Sequence, residues 1–199
     1  MKELLFVIPM KDPTKGKSRL SLVLPAAARA RLAMALFRQV LRFLNDHQPG
    51  HDVLVVTGSD AVAKTASEFG AQILNETATG LNKAVAQAAI WAKPNYKSIC
   101  ILPADLADPE AADLAQLLHF PRNERSITIA PSHDGGTNCL IASPPDVIAF
   151  RYGPGSSLAH QLEAEKCGAA CTIAPLSSFA YDIDTSTDLQ RLRWKAGEI

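Results

Sequence analysis

Leu4-Leu5-Phe6-Val7-Ile8-Pro9-Met10-Lys11-Asp12-Pro13-Thr14-Lys15-Gly16-Lys17-Ser18-Arg19-Leu20 joins an unbroken apolar run to a loop dense in cations. Leu4 to Ile8 has the length and uniform hydrophobicity of a strand buried on both faces, the kind found in parallel sheets. Lys11, Lys15, Lys17 and Arg19 follow within a segment punctuated by Pro9, Pro13 and Gly16. In α/β proteins the loops at the carboxyl ends of the strands line the ligand crevice. A basic loop in that position suits an anion, and phosphate is the expected one. Gly16-Lys17-Ser18 ends like a P-loop, but that pattern needs a glycine where Lys11 stands. The P-loop is therefore rejected.

The same alternation of strand and helix continues along the chain. A long helix is expected over Pro25 to Leu44, with Leu32, Leu36, Phe37, Val40, Leu41 and Leu44 on one stripe. Further strands are expected at Val53 to Thr57, Ala71 to Leu74, Ser98 to Leu102 and Ile127 to Ala130. Helices at Ala61 to Phe69, Leu81 to Ala92 and Asp108 to Leu118 separate them, with Gly70 ending the first and Pro109 opening the last. This order predicts a mostly parallel sheet covered on both faces by helices. The remainder is less regular: a strand at Asn138 to Ala142, a helix at Ser156 to Cys167, a strand at Ala170 to Ile173, and a final helix capped by Asp184 or Thr185 with Asp188 three or four residues on. No linker divides the chain, so one domain over residues 1–199 is expected.

Composition narrows the function. The 199 residues are 47% hydrophobic and 20% charged, a globular balance. Twenty basic and twenty acidic residues cancel, which argues against a nucleic-acid-coating protein. No stretch has the length of a membrane span and the N-terminus reads as a strand, so a cytoplasmic protein is expected. Of the four cysteines, Cys100 and Cys139 sit in apolar runs and Cys167 and Cys171 lack partners at zinc spacing. All read as reduced thiols.

Several short motifs carry possible chemistry. Pro103-Ala104-Asp105 follows a hydrophobic strand, and Asp105 is placed to hold Mg2+, which takes one or two carboxylates plus substrate phosphates. Asp108 competes as a helix cap. Tyr181-Asp182-Ile183-Asp184-Thr185 puts two carboxylates at alternate positions, both on one side if the segment is extended. Asp134-Gly135-Gly136-Thr137-Asn138 is a turn whose glycines allow close backbone approach, or a plain hairpin. Tyr152-Gly153-Pro154-Gly155-Ser156 precedes a helix and offers an anion site or an ordinary cap. His133, Asp134 and His160 lack the nucleophile elbow of a hydrolase, so a hydrolytic triad is set aside.

Taken in order, the Lys-Ser-Arg-Leu loop, Gly80-Leu81-Asn82, Pro103-Ala104-Asp105-Leu106, Gly135-Gly136-Thr137-Asn138, Gly153-Pro154-Gly155-Ser156-Ser157 and Asp182-Ile183-Asp184-Thr185 resemble the 2-phospho-L-lactate guanylyltransferase family of coenzyme F-420 biosynthesis. The resemblance runs from Leu5 to Leu189. It implies a three-layer α/β/α sandwich with a mixed, mostly parallel sheet, the nucleotide-diphospho-sugar transferase (GT-A-like) fold. It implies transfer of GMP from GTP to 2-phospholactate, phosphoenolpyruvate or 3-phosphoglycerate. Lys11, Lys17 and Asp105 would be catalytic. Pro9, Lys11, Lys17, Arg19, Gly80, Asn82 and Pro103 would meet the nucleotide. Thr137, Asn138, Gly153 and Ser156 would meet the acid, and Asp105 and Asp184 would hold Mg2+. A homodimer is also a family expectation. The chain departs from the family's usual pattern at Asp12 with Thr14-Lys15-Gly16, and at Lys83. Other nucleotidyltransferases of the fold, nucleotide-sugar glycosyltransferases and a non-catalytic nucleotide-binding module are the rival readings.

Overall fold

A computed structural model describes residues 1–192. Among these residues seven strands form one sheet: β1 (Lys2–Pro9), β2 (Asp52–Thr57), β3 (Gln72–Asn75), β4 (Tyr96–Ile101), β5 (Ser126–Pro131), β6 (Thr137–Ser143) and β7 (Ala170–Ile173). Their order is β3-β2-β1-β4-β6-β5-β7. All neighbours are parallel except around β6, which runs antiparallel to both β4 and β5. The sheet is thus mixed and mostly parallel. The single reversed strand brings its amino end, Thr137, to the edge where β1 and β4 present their carboxyl ends.

Alternation along the central strands divides the apolar residues between two cores. Leu4, Phe6 and Ile8 of β1, Cys100 of β4, and Cys139 and Ile141 of β6 face one side. Leu5, Val7, Ile99, Ile101, Leu140 and Ala142 face the other. This explains why the strands read as continuous apolar runs. The first side is covered by α1 (Ala26–His47), α2 (Asp60–Glu68) and α4 (Ala111–His119); the second by α3 (Leu81–Ala92) and α5 (Ser156–Lys166). Three layers result.

Local signals explain the boundaries. Gly70, at φ 76°, closes α2: its N–H donates to Ser67 O and that of Ala71 to Ala66 O, the pairing that satisfies a helix end. At α4 the outcome differs from the proline-led start at Asp108. The helix begins at Ala111 with Glu110 as its cap, and Glu110 N–H donates to Ser178 Oγ at 3.0 Å. The contact to the 177–179 turn ties up that N–H ahead of the first helical turn. The stripe of α1 also divides: Phe37, Val40, Leu41 and Leu44 pack on the sheet, whereas Leu36 joins Ala107 and Ile183 in a separate small cluster. After Thr185 the described chain forms a short 3-10 turn, Asp188–Arg191, rather than an α-helix. The capping hydrogen bonds are nevertheless present, with Asp188 Oδ2 accepting from Thr185 N–H at 2.7 Å and Thr185 Oγ1 accepting from Asp188 N–H at 3.4 Å. The rest of the expected final helix lies outside the described residues.

Candidate active site

The loop after β1 begins with an Asp12 cap, whose Oδ1 accepts from Thr14 N–H at 2.9 Å and folds Pro13–Lys15 into a 3-10 turn. Lys17 then adopts a left-handed backbone at φ 54°, unusual for a non-glycine residue and strained. Leu20, fully buried, anchors the far end. The turn sends the Lys17 side chain inward. Its ammonium donates to Asp105 Oδ2 and, at 3.1 Å, to Asp184 Oδ1. Burial works against the ammonium, but Asp105 and Asp184 outweigh it and hold Lys17 above its ordinary pKa.

Asp105 and Asp184 are distant in sequence and are joined through backbone. Ala107 N–H donates to Tyr181 O at 3.0 Å, and Ile183 N–H donates to Asp105 O at 3.1 Å. Leu106 and Asp182 form an antiparallel bridge between them. Ile183 is fully buried against Leu36 and Ala107, so Asp182 and Asp184 on either side of it point the opposite way. Oxygens of Asp105, Asp182 and Asp184 all lie within 4.8 Å of one another. Asp188 steadies this arm by accepting from Asp184 N–H at 3.2 Å as well as from Thr185.

Three carboxylates against one ammonium leave excess negative charge. Burial, with Asp105 and Asp184 adding to it, pushes Asp182 up to about 6. Hard oxygen donors gathered in this way suit Mg2+, and the surplus charge is what a divalent cation neutralises. The donor set therefore fits the ion that the sequence led us to expect, with Asp182 added to Asp105 and Asp184.

These groups form one wall of a cleft of about 600 Å3, within the usual size of a small-molecule site. Its lining also includes Pro9, Lys11 and Pro103, then Glu76 and Thr79 before α3 with Gly80 and Leu81 at its start, and Thr137, Asn138 and Tyr152. Arg19 is exposed and does not line the cleft. Gly153 and Ser156 lie in the turn just beyond Tyr152, also off the lining; Ser156 opens α5. Asn82 is engaged elsewhere: its Nδ2 donates to Tyr152 O at 3.1 Å and its Oδ1 accepts from Tyr152 N–H at 2.6 Å. That two-point clasp ties α3 to the turn before α5. Asn138 is likewise occupied, donating to Phe179 O at 2.8 Å. Asp108, the competing cap, does not line the cleft.

Sequence reasoning missed Glu76, took Tyr152 only as the first residue of the turn before α5, and considered His160 only for a hydrolytic triad. His160 is fully buried behind Thr137, with Nδ1 3.1 Å from Thr137 Oγ1 and Nε2 accepting from Arg151 N–H at 2.9 Å. The signal for it is a histidine four residues after Ser156, one turn into α5.

Residues 4–196 match the family described as "Guanylyl transferase CofC like". The chain belongs to this family. The 3-phospho-D-glycerate guanylyltransferase of Colwellia psychrerythraea is 41% identical over 187 residues, covering 94% of this chain and 89% of that protein. The phosphoenolpyruvate guanylyltransferase of Rubrobacter xylanophilus is 34% identical, covering 96% and 94%. The 2-phospho-L-lactate guanylyltransferase of Methanothermobacter thermautotrophicus is 32% identical, covering 92% and 81%. Among solved structures, a putative nucleotide-diphospho-sugar transferase from Desulfovibrio desulfuricans superposes with a TM-score of 0.70 at 19% identity, covering 95% of this chain and 85% of that one. The fold is thus that of the nucleotide-diphospho-sugar transferases and nucleotidyltransferases, and the chain is a guanylyltransferase-family enzyme. Among its described residues, no helix is long and apolar enough to cross a membrane.

Proposed function

We propose that this enzyme joins GMP from GTP to a three-carbon phospho-acid and releases pyrophosphate, an early step of coenzyme F-420 biosynthesis in the cytoplasm. The observation that carries this reading is that two unlike groups line one cleft: Lys17 with Asp105, Asp182 and Asp184, and the neutral Thr137. The acid whose name the Colwellia relative bears, 3-phospho-D-glycerate, heads the candidates, with phosphoenolpyruvate and 2-phospholactate behind it.

A phosphate oxygen of the acid attacks the α-phosphorus of GTP. A new P–O bond forms, the bond from the α-phosphorus to its bridging oxygen breaks, and pyrophosphate leaves with that electron pair. Phosphate is nucleophilic at neutral pH, so the chain need not supply a strong base. Its task is to bring two anions together and to place charge where it develops. Asp105, Asp182 and Asp184 would hold Mg2+, which when bound would neutralise charge on the phosphates. Lys17, pinned between Asp105 and Asp184, holds positive charge beside the phosphates. Lys11, exposed at the cleft edge, is placed to meet the leaving pyrophosphate. Gly80, at φ 120°, and Leu81 lie where the nucleoside would rest. Thr137 faces the acid, and Gly153 and Ser156 support that side from the turn before α5.

The test is pyrophosphate release from GTP and Mg2+ with each of the three acids in turn. Release that requires one acid, and fails with ATP or CTP in place of GTP, is the expected result. Binding of GTP without release under any condition would overturn catalysis in favour of a binding module.

A further inference from the structure

The hydrogen bonds around His160 have a fixed direction. Arg151 presents a backbone N–H to Nε2 at 2.9 Å. A backbone amide only donates, so Nε2 carries no proton. Burial pushes the imidazole down to about 4, with Glu163 pulling it partly back, so the ring is neutral near pH 7. Its one proton therefore sits on Nδ1 and is donated to Thr137 Oγ1 at 3.1 Å. The hydroxyl proton of Thr137 is excluded from that contact. Thr137 opens β6 and lines the cleft, and among the described residues its hydroxyl is hydrogen-bonded to His160 alone.

The surroundings keep this direction in place. The His160 ring stands edge-on to Tyr152, with centroids 4.9 Å apart and planes 74° apart. Ser157 N–H donates to Gly135 O at 3.2 Å, joining the start of α5 to the hairpin before Thr137. His160 itself is fully buried and does not line the cleft. It acts on a ligand only through Thr137.

We propose that His160 is a positioning residue, a tautomer lock that turns Thr137 into a one-way donor to an anionic oxygen of the acid. This rests on the reading that places the acid against Thr137. Phosphate and carboxylate oxygens accept hydrogen bonds and have none to give at neutral pH. A hydroxyl that accepts from His160 cannot spend its own proton on that contact, and is matched to them as a donor. Arg151 N–H, His160 Nδ1–H and the Thr137 hydroxyl then point the same way, and each bond polarises the next.

Two amide replacements separate this role from a structural one. In His160→Gln the amide oxygen takes the place of Nε2 and keeps an acceptor for Arg151, but no donor faces Thr137. In His160→Asn the amide nitrogen takes the place of Nδ1 and keeps the donor, while Arg151 N–H loses its acceptor. With 3-phospho-D-glycerate as probe, His160→Gln should raise the KM for the acid roughly fivefold, the worth of about one hydrogen bond, and leave the KM for GTP unchanged. His160→Asn should recover most of that loss yet melt at the lower temperature. The acid KM and the melting temperature then rank the two variants in opposite orders, whereas a structural role makes them rank together. Nitrogen NMR of the free protein should show the Nδ1–H tautomer of His160, with a shift when 3-phospho-D-glycerate is added. A folded His160→Gln with wild-type KM for the acid, or an Nε2–H tautomer, overturns the lock. An unchanged acid KM in Thr137→Val, set against a raised one in His160→Gln, would instead move the acid away from Thr137.

Discussion

Lys17 with three carboxylates, and Thr137 with its buried partner His160, belong to one cleft, and the two groups keep their shape by different means. The first is held by opposite charges, one lysine among Asp105, Asp182 and Asp184, with a left-handed backbone at Lys17 as part of the cost. The second is held by directed hydrogen bonds between neutral groups: Asn82 to the Tyr152 backbone, Arg151 to His160, and His160 to Thr137. On the proposed function, excess charge would make the first group a receptor for a cation and its phosphates, and the neutral second group would receive the acid through directed hydrogen bonds.

The largest break in this contrast should come from the charged wall. Asp184→Asn removes a carboxylate that touches Lys17 and belongs to the acidic cluster. Turnover should fall by about a hundredfold or more, from the several kcal/mol that metal-held charge supplies. The melting temperature should hold or rise, because repulsion among the carboxylates eases. Steady-state kinetics and thermal melting on the same sample check this, and unchanged turnover would dissolve the charged wall as a catalytic feature.

The neutral wall should break by pH instead. His160 sits at about 4 in the fold, below the ordinary value near 6.5 of the unfolded chain. Between those values the unfolded chain binds the extra proton and the native one does not. Stability from the neutral ring is therefore complete above about pH 6.5 and is lost as the pH falls toward 4. The loss should be on the order of 2 kcal/mol. Asp182, raised to about 6, takes up a proton in the fold over the same range and works the opposite way, so the readout is a difference: from pH 7 to pH 5 the denaturation midpoint of the wild type should drop relative to that of His160→Asn. Equal slopes would mean that the imidazole is not held neutral.

The smallest effects lie within the basic loop and sharpen its edge. Lys11→Ala should raise the KM for GTP about tenfold, the scale of one charge-assisted contact to phosphate, and leave that for the acid alone. Arg19→Ala should change neither by more than experimental scatter, since Arg19 is exposed and lies off the cleft. Equal losses in both variants would show that the loop acts by its summed charge rather than through Lys11.

The same contrast explains what was legible in the sequence. Lys17, Asp105 and the alternating Asp182 and Asp184 each stand at or near the end of an apolar segment, where position alone suggests the site. The strands were equally plain, because burial on both faces makes them continuous apolar runs. The neutral group was legible only in part: the turns at Thr137 and at Tyr152 to Ser156 stood out as motifs, but the contacts that join them did not. His160 and Thr137 are 23 residues apart and Asn82 and Tyr152 are 70 apart, and none is of a type that forces a reading. Asn82 looks like a ligand residue until the clasp on Tyr152 is seen. Arg19 looks equivalent to Lys17 until the 3-10 turn after Gly16 turns one side chain in and leaves the other out. The start of α4 moved because Glu110 N–H bonds to Ser178, a partner 68 residues away.

Ile183 works as a rivet between two prongs. Buried against Leu36 and Ala107, it holds the backbone bend between Asp182 and Asp184 in place, and with it the spacing at which the two carboxylates leave the main chain. The gauge of the acidic site is thus machined into the main chain. A glutamate on either prong would reach one methylene further, so the spacing of the acidic cluster belongs to the main chain as much as to the carboxylates.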